Sequence, residues 1–326
     1  MANSRNDTAR FILAGTLLTT GLMIPAAQAQ TLFSRSAPIH PGPKPILLQS
    51  GGAAAVPSAP GVPNSLIDPG PIGIATTTNL FAQIAIGGGY TTSFTFLNTG
   101  SDTTTGNLIL TGDDGQPLNA SLSSAGIGVQ SPETRISAAD APLVVPPGGT
   151  QFVSASAADP NDPNLKVGWA RVESEGGSLA GVATFQFVIN NKLATIAGVL
   201  SAAATGVATI PIDDDGTLGD QSFFTGYGVA NPGDSDMNIK LILVGTDGNP
   251  IQTLNPPSLN PLPAHQHVAK FLFQDLNNNN FKFKGSVVFI EQSAKPFSVV
   301  ALVLKGLANP LYTTIPVVPA KAAHIQ

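Results

Sequence analysis

The residues of this chain whose types could do chemistry are four histidines, three carboxylate-rich turns and a single tryptophan. His265 and His267 stand two apart, and on an extended strand that spacing puts both imidazoles on one side. This is half of a metal site, since a closed zinc centre takes a third and usually a fourth ligand. No Asp, Glu or His nearby is singled out to complete it, so the pair reads as two exposed histidines at the start of a strand. Nucleophilic catalysis needs a base beside its nucleophile. There is no G-x-S-x-G elbow and no Cys, and His40 and His324 lie far from the other two. A serine hydrolase would have to use His265 or His267.

Asp213-Asp214-Asp215-Gly216, Asp159 to Asp162 and Asp234 to Asp236 are acidic turns of the kind calcium bridges with about 6–8 oxygens. None has EF-hand or nonapeptide spacing, and turn-forming Asp accounts for them without an ion. Whether they bind calcium is left open by the residues. Glu173 and Glu175 share one strand face, whereas a glycosidase draws its two carboxylates from opposite sides of the scissile bond. Exposed aromatic rings serve as sugar platforms, and Trp169 with Arg171 is the candidate ligand patch; the competing reading puts Trp169 in a core or domain contact. The polar run ending at Asn280, with Asp275 before it, reads as a loop tip. No catalytic, cofactor-binding or metal-ligating residues are assigned, and no cofactor is expected.

The elements that would position such groups follow from composition. The chain has 326 residues, a net charge of −5, 42% apolar and 11% charged residues. That apolar share suffices for packed cores, and the length suits two domains. Only 15 Lys and Arg leave no basic footprint for nucleic acid or anionic lipid. Arg5 and Arg10, the uncharged run Phe11 to Ile24 and Ala27-Gln28-Ala29 have the three-part form of a secretory signal, with cleavage expected before Gln30. No later stretch is long and apolar enough for a membrane span, so no membrane insertion is expected after cleavage. The predicted localisation is secreted or cell surface, with the periplasm also left open. Without Cys, stability must come from burial and sheet hydrogen bonds alone.

Residues 30–78 form a Pro/Gly-rich lead whose dense prolines deny the backbone helix and central-strand bonding. It reads as an extended, largely disordered spacer, either a stalk or a leader. From Leu80 onward short apolar-alternating runs are separated by Gly, Asp, Asn and Pro, which are strand and turn signals. An internal repeat organises them. Asn98-Thr99-Gly100-Ser101 matches Asn231-Pro232-Gly233-Asp234, and Leu108 to Leu118 matches Leu241 to Ile251, both 133 positions apart. Tyr90 corresponds with Phe223, and Phe94 with Tyr227. A second block, Gly168 to Phe187 against Gly285 to Leu304, aligns 117 apart. The first copy therefore carries 16 extra residues within Leu118 to Pro147, expected as a surface loop.

Asp114-Gly115 and Asp247-Gly248 accept the positive φ of tight hairpins. Strands are predicted near 80–86, 90–97, 106–111, 116–122, 150–156, 166–174, 180–188 and 193–200, then near 207–212, 222–230, 237–244, 250–254, 266–273, 283–291, 297–304 and 312–317. This is the arithmetic of two all-β, two-sheet sandwiches, 79–204 and 205–318, with a tail over 319–326. Val299 to Leu304 is apolar on both faces, which suggests a strand at the contact between the copies.

The pattern F-x-N-x-G, then L-x-L-x-G-x-D-G-x-P-L, then G-W-A-R-V, resembles the tandem immunoglobulin-like sandwich modules of secreted bacterial proteins. Asp114-Gly115-Gln116-Pro117 and Asp247-Gly248-Asn249-Pro250 are similar to the D-G-N-P turn of bacterial surface repeats. The resemblance covers about 80–318 and implies adhesive, spacer or carbohydrate-contacting modules; no functional residues carry over. The expected function is a non-enzymatic extracellular or cell-surface structural or adhesive module. Its partner would be a surface polymer, a glycan or an envelope protein, and not nucleic acid. The alternatives are a carbohydrate-binding module and, more remotely, a hydrolase with its site in the loops of 119–142.

Overall fold

The computed structural model describes residues 76–125, 134–175, 178–215, 223–278, 281–305 and 311–319. Residues 1–29, expected as a signal segment, most of the expected spacer 30–78, His40, Asn279, Asn280 and His324 lie outside them. The described chain is all-β apart from one helical turn, α1 (Leu272–Asp275). Its strands form four antiparallel sheets, two per copy.

In the first copy one sheet has the order β1 (Thr76–Ile86), β8 (Lys166–Glu175), β3 (Thr104–Gly112), β6 (Asp140–Val145). The other runs β10 (Lys192–Leu200), β9 (Leu179–Ile189), β2 (Tyr90–Asn98), β7 (Thr150–Ala157), β4 (Ala120–Ala125), β5 (Thr134–Ala138). In the second copy the order is β14 (Pro250–Leu254), β13 (Ile239–Gly245), β16 (Lys282–Glu291), β11 (Val207–Asp215), β19 (Val318–Pro319). Facing it lies β15 (His267–Phe271), β12 (Phe223–Ala230), β17 (Ser298–Lys305), β18 (Leu311–Ile315). Strand for strand, β1, β8 and β3 occupy the places of β11, β16 and β13, and β10, β9, β2 and β7 those of β18, β17, β12 and β15. Consecutive β8 and β9 lie in opposite sheets, and β9 runs beside β2.

Period-two alternation builds each core. Tyr90, Phe94 and Phe96 point inward from β2, while Thr91, Ser93 and Thr95 point out. Phe81 meets Phe94 edge-on with ring centroids 5.4 Å apart. In the second copy Tyr227 meets Phe289 likewise at 5.2 Å.

The repeated motifs have repeated jobs. Asn98 and Asn231 are wholly buried at the ends of their strands. The Asn98 Nδ2 donates to the carbonyls of Asp102 (2.7 Å) and Val145 (2.8 Å), and its Oδ1 accepts from the Gly100 amide (2.9 Å). Asn231 donates to Ser235, Leu262 and Pro263 carbonyls and accepts from the Gly233 amide. Both Asp-Gly turns close alike: Gly112 and Gly245 amides donate to the carbonyls of Gln116 and Asn249, each at 2.8 Å. Gly115 and Gly248 sit at φ near +80°, where only glycine is unstrained.

Two sequence expectations need correcting. The 16-residue insertion is largely strand: β4 and β5 extend one sheet, and β6 takes the edge beside β3 that β14 holds beside β13. After its Asp-Gly turn the first copy makes one bridge, Thr111 to Pro117, and then crosses to the opposite sheet. The 119–142 region where a hydrolase site was placed therefore carries β4, β5 and the start of β6, with 126–133 outside the described residues. The second correction is to the gap-free alignment of the later blocks. Gly168 opposes Gly112 and Gly285 opposes Gly245, consistent with 117. Ala183 opposes Phe94 but Ala301 opposes Tyr227, so β9 and β17 correspond at 118. One extra residue between β16 and β17 restores the inward face, which a slip of one would turn outward.

Candidate functional site

Two surfaces stand out, and they are the same surface in different copies. In the second copy, the outward positions of β12, β15 and β17 are apolar apart from His267 and Ser298, which are buried with them. Phe224, Val300, Leu302 and Leu304 join the core of the first copy, whereas Val299 and Ala301 on the same strand face their own core. The contact strand anticipated at Val299 to Leu304 is thus buried on both sides. Gly228 makes the close approach: a Cβ there would press within 3.0 Å of the Ala82 carbonyl on β1.

Hydrogen bonds rim this joint. Trp169 Nε1 donates to the His265 carbonyl at 2.8 Å, and the His267 amide to the Asp113 carbonyl at 3.2 Å. The Tyr312 amide donates to Thr195 Oγ1 at 3.0 Å. Tyr90 stacks on Phe187 at 4.4 Å, and Phe185 meets Tyr312 at 6.3 Å. Burial drives the Tyr90 hydroxyl well above the ordinary tyrosine range and pushes Tyr312 up to about 12.

The sequence-selected residues disperse. Trp169 is 0% exposed, packed with Leu80 and Ala230 under the loop of the second copy. The proposed Trp169–Arg171 patch thus has no ring face open to solvent, because the joint covers it. Arg171 lies 5.8 Å from the Trp169 ring centroid and pairs with Glu173 at 2.7 Å. His265 sits in a turn at φ 60° with Nε2 3.1 Å from Asp234, and the strand begins only at His267. His267 points into the joint, where desolvation lowers its pKa to about 4. The two imidazoles therefore diverge instead of sharing a strand face.

The acidic turns are likewise engaged within the fold. Asp213 pairs with Lys284 at 2.8 Å and Asp162 with Lys166 at 3.0 Å. Asp214 is buried, and its Oδ1 accepts from the Thr225 amide (2.7 Å) and hydroxyl (2.6 Å). Desolvation outweighs these bonds and raises its pKa to about 6. Thr92, the counterpart of Thr225, instead clamps both backbone groups of Ala85. Each copy thus ties its first strand to its second across the sheets. Asp275 accepts from Tyr227 and from Lys270 (3.2 Å), and burial raises the pKa of both Asp275 and Tyr227. Among the described residues no three His, Cys, Asp or Glu are grouped as a metal site. A groove of about 240 Å³ lies between the Asn231–Met237 loop and Lys295–Pro296.

The second surface escaped sequence analysis. It is the outward face of the six-stranded sheet in the first copy, topologically the same face that the second copy buries. Registers set Thr184, Ser93, Ser154 and Ser123 in one row across four strands. The next row holds Leu200, Val182, Thr95 and Phe152. Leu200 is 77% and Phe152 52% exposed, and Leu97 and Ile196 are exposed beside them. Across β10 from Ile196, β9, β2, β7 and β4, the outward positions with described burial carry no charge. The opposite sheet shows the contrast, with Arg171 and Glu173 outward on β8. The alternation Thr91-x-Ser93-x-Thr95 with Ser154-x-Ser156 and Ser121-x-Ser123 is the signal that could have found it.

Compared with protein families, curated proteins and solved structures, the chain matches none.

Proposed function

We propose that this chain is a non-enzymatic structural or adhesive module of the extracellular space or cell surface. In this reading it is exported through its N-terminal segment, and its two copies are immunoglobulin-like sandwiches. The observation that carries the reading is the uncharged, partly apolar sheet face, set on a body whose copies share a core. Exposed apolar groups gathered on one face mark contact surfaces, and a shared core presents that face without a hinge.

The test is a binding assay of the purified protein against intact cells, isolated envelope and uncharged polysaccharides. Retention by cells or envelope that is lost on Phe152→Asp supports the function. Absence of binding to all three would end it.

A further inference from the structure

We infer that the outward face of β10, β9, β2, β7 and β4 in the six-stranded sheet is a self-association surface, and that its occupant is the same face of a second copy of this chain. This rests on the reading of the protein as an assembly module and names the partner of that face.

Four observations lead there. The first is equivalence. The matching face in the second copy is already an interface, with Leu302 and Leu304 where the first copy has Thr184 and Gln186. The fold therefore packs this sheet face against a neighbour once within the chain.

The second is closure. Within the chain that face covers the open side of the first copy, between β1 and β10, where Leu80 bridges to Ala202. A head-to-tail chain of molecules would need the matching side of the second copy, beyond β11. There β19 is already paired, Thr209 with Val318 and Ala208 with Pro319. That pairing is the counterpart of the Leu80–Ala202 bridge and leaves the side as it is in the first copy. The closed alternative is the isologous one, in which one patch meets its own copy and the assembly ends at two. This patch carries Leu200 and Phe152 on either side of Thr95 in one row.

The third is electrostatic. A two-fold contact sets every residue near its own symmetry mate, so a like charge near the axis repels itself. This chain has a net charge of −5, yet Ser93 and Ser154, on the two middle strands of that sheet, centre a face whose described positions carry no charge.

The fourth is size and shape. The five strands of that face, about 4.8 Å apart and roughly eight residues long, give about 600 Å², against about 800 Å² per partner in a standard interface. Identically twisted sheets pack aligned at about −30°. The row of Leu200, Val182 and Phe152 lies beside the row of small hydroxyl residues, so large side chains of one copy can seat over small ones of the other. A flat polymer lattice would not follow a twisted sheet.

The experiment is sedimentation equilibrium of the full chain over a micromolar concentration series, with Ser154→Lys and Ser154→Glu. Wild type should reach twice the chain mass of 33.2 kDa. Each variant alone should dissociate at least tenfold more readily, and an equimolar mixture of the two should recover the dimer. Unchanged unfolding midpoints show that the variants fold. A monomer at every concentration overturns the inference, and so does a dimer indifferent to both variants. Capture of an uncharged polysaccharide by a monomer, abolished by either variant, also overturns it while leaving the adhesive function standing.

Discussion

Trp169 and His265 lie 96 positions apart in the chain, yet the indole N–H of one donates to the backbone carbonyl of the other at 2.8 Å. That bond joins the two copies at a point where the ring has no exposure to water. Trp169→Phe keeps most of the packing and leaves the carbonyl without its donor. The expected loss is about 1–3 kcal/mol, and Trp169→Ala should cost about 3–5 kcal/mol. Chemical denaturation measures both, and a Trp169→Phe variant as stable as wild type would show that the bond contributes nothing.

His267 and Asp214 should give the stability opposite pH slopes. The folded His267 titrates near 4 against 6.5 for a free imidazole. Its contribution is complete above 6.5 and is lost as pH falls toward 4, about 3 kcal/mol in all. Asp214 is shifted up from 3.8 to about 6, so its contribution is complete below 3.8 and is lost as pH rises through 6. His267→Leu should then leave stability rising as pH falls from 6.5 to 4, and Asp214→Asn should leave it falling. Denaturation midpoints across that window decide the signs.

Asn98 and Asn231 do equal work at equal places, so equal truncations should cost alike. Each binds three or four backbone groups from a buried position. Alanine at either should destabilise by about 2–4 kcal/mol. A loss at one site alone would show that the repeat of the motif is not a repeat of function.

Most of the strand pattern was legible because turn chemistry and alternation agree. Thr91 to Phe96 alternates cleanly, and Asp114-Gly115 and Asp247-Gly248 fix where the chain reverses. What escaped was decided across space. β5 lies in a Ser/Ala-rich insertion with few large apolar residues, β6 follows it with Pro142 inside the strand and Pro146 just after it, and their pairing comes from β4 and β3. The extra residue between β16 and β17 leaves no mark in sequence, because Val299 to Leu304 is apolar on both faces and tolerates either register. The joint hid Trp169 and His267, since their coverage comes from the other copy. The hydroxyl face was visible as alternation in three separate segments, and only the strand order puts those segments side by side.

Gly168 and Gly285 face Gly112 and Gly245 across the β8–β3 and β16–β13 pairs. A Cβ at either would overlap the opposite carbonyl, of Thr111 or Val244. Alanine at these sites should force the strands apart and cost several kcal/mol, about 3 or more. Gly248→Ala meets nothing within 4 Å and carries only the strain of positive φ, about 1 kcal/mol. Thermal unfolding of the three variants should rank them in that order.

β17 has no outside. One of its faces completes the interior of its own sandwich and the other completes the interior of its neighbour. The duplication therefore did not yield two spare parts: severed near residue 204, each fragment would carry a wound of oily side chains into water. Neither half has a finished surface of its own, so the pair stands or melts as one cooperative body.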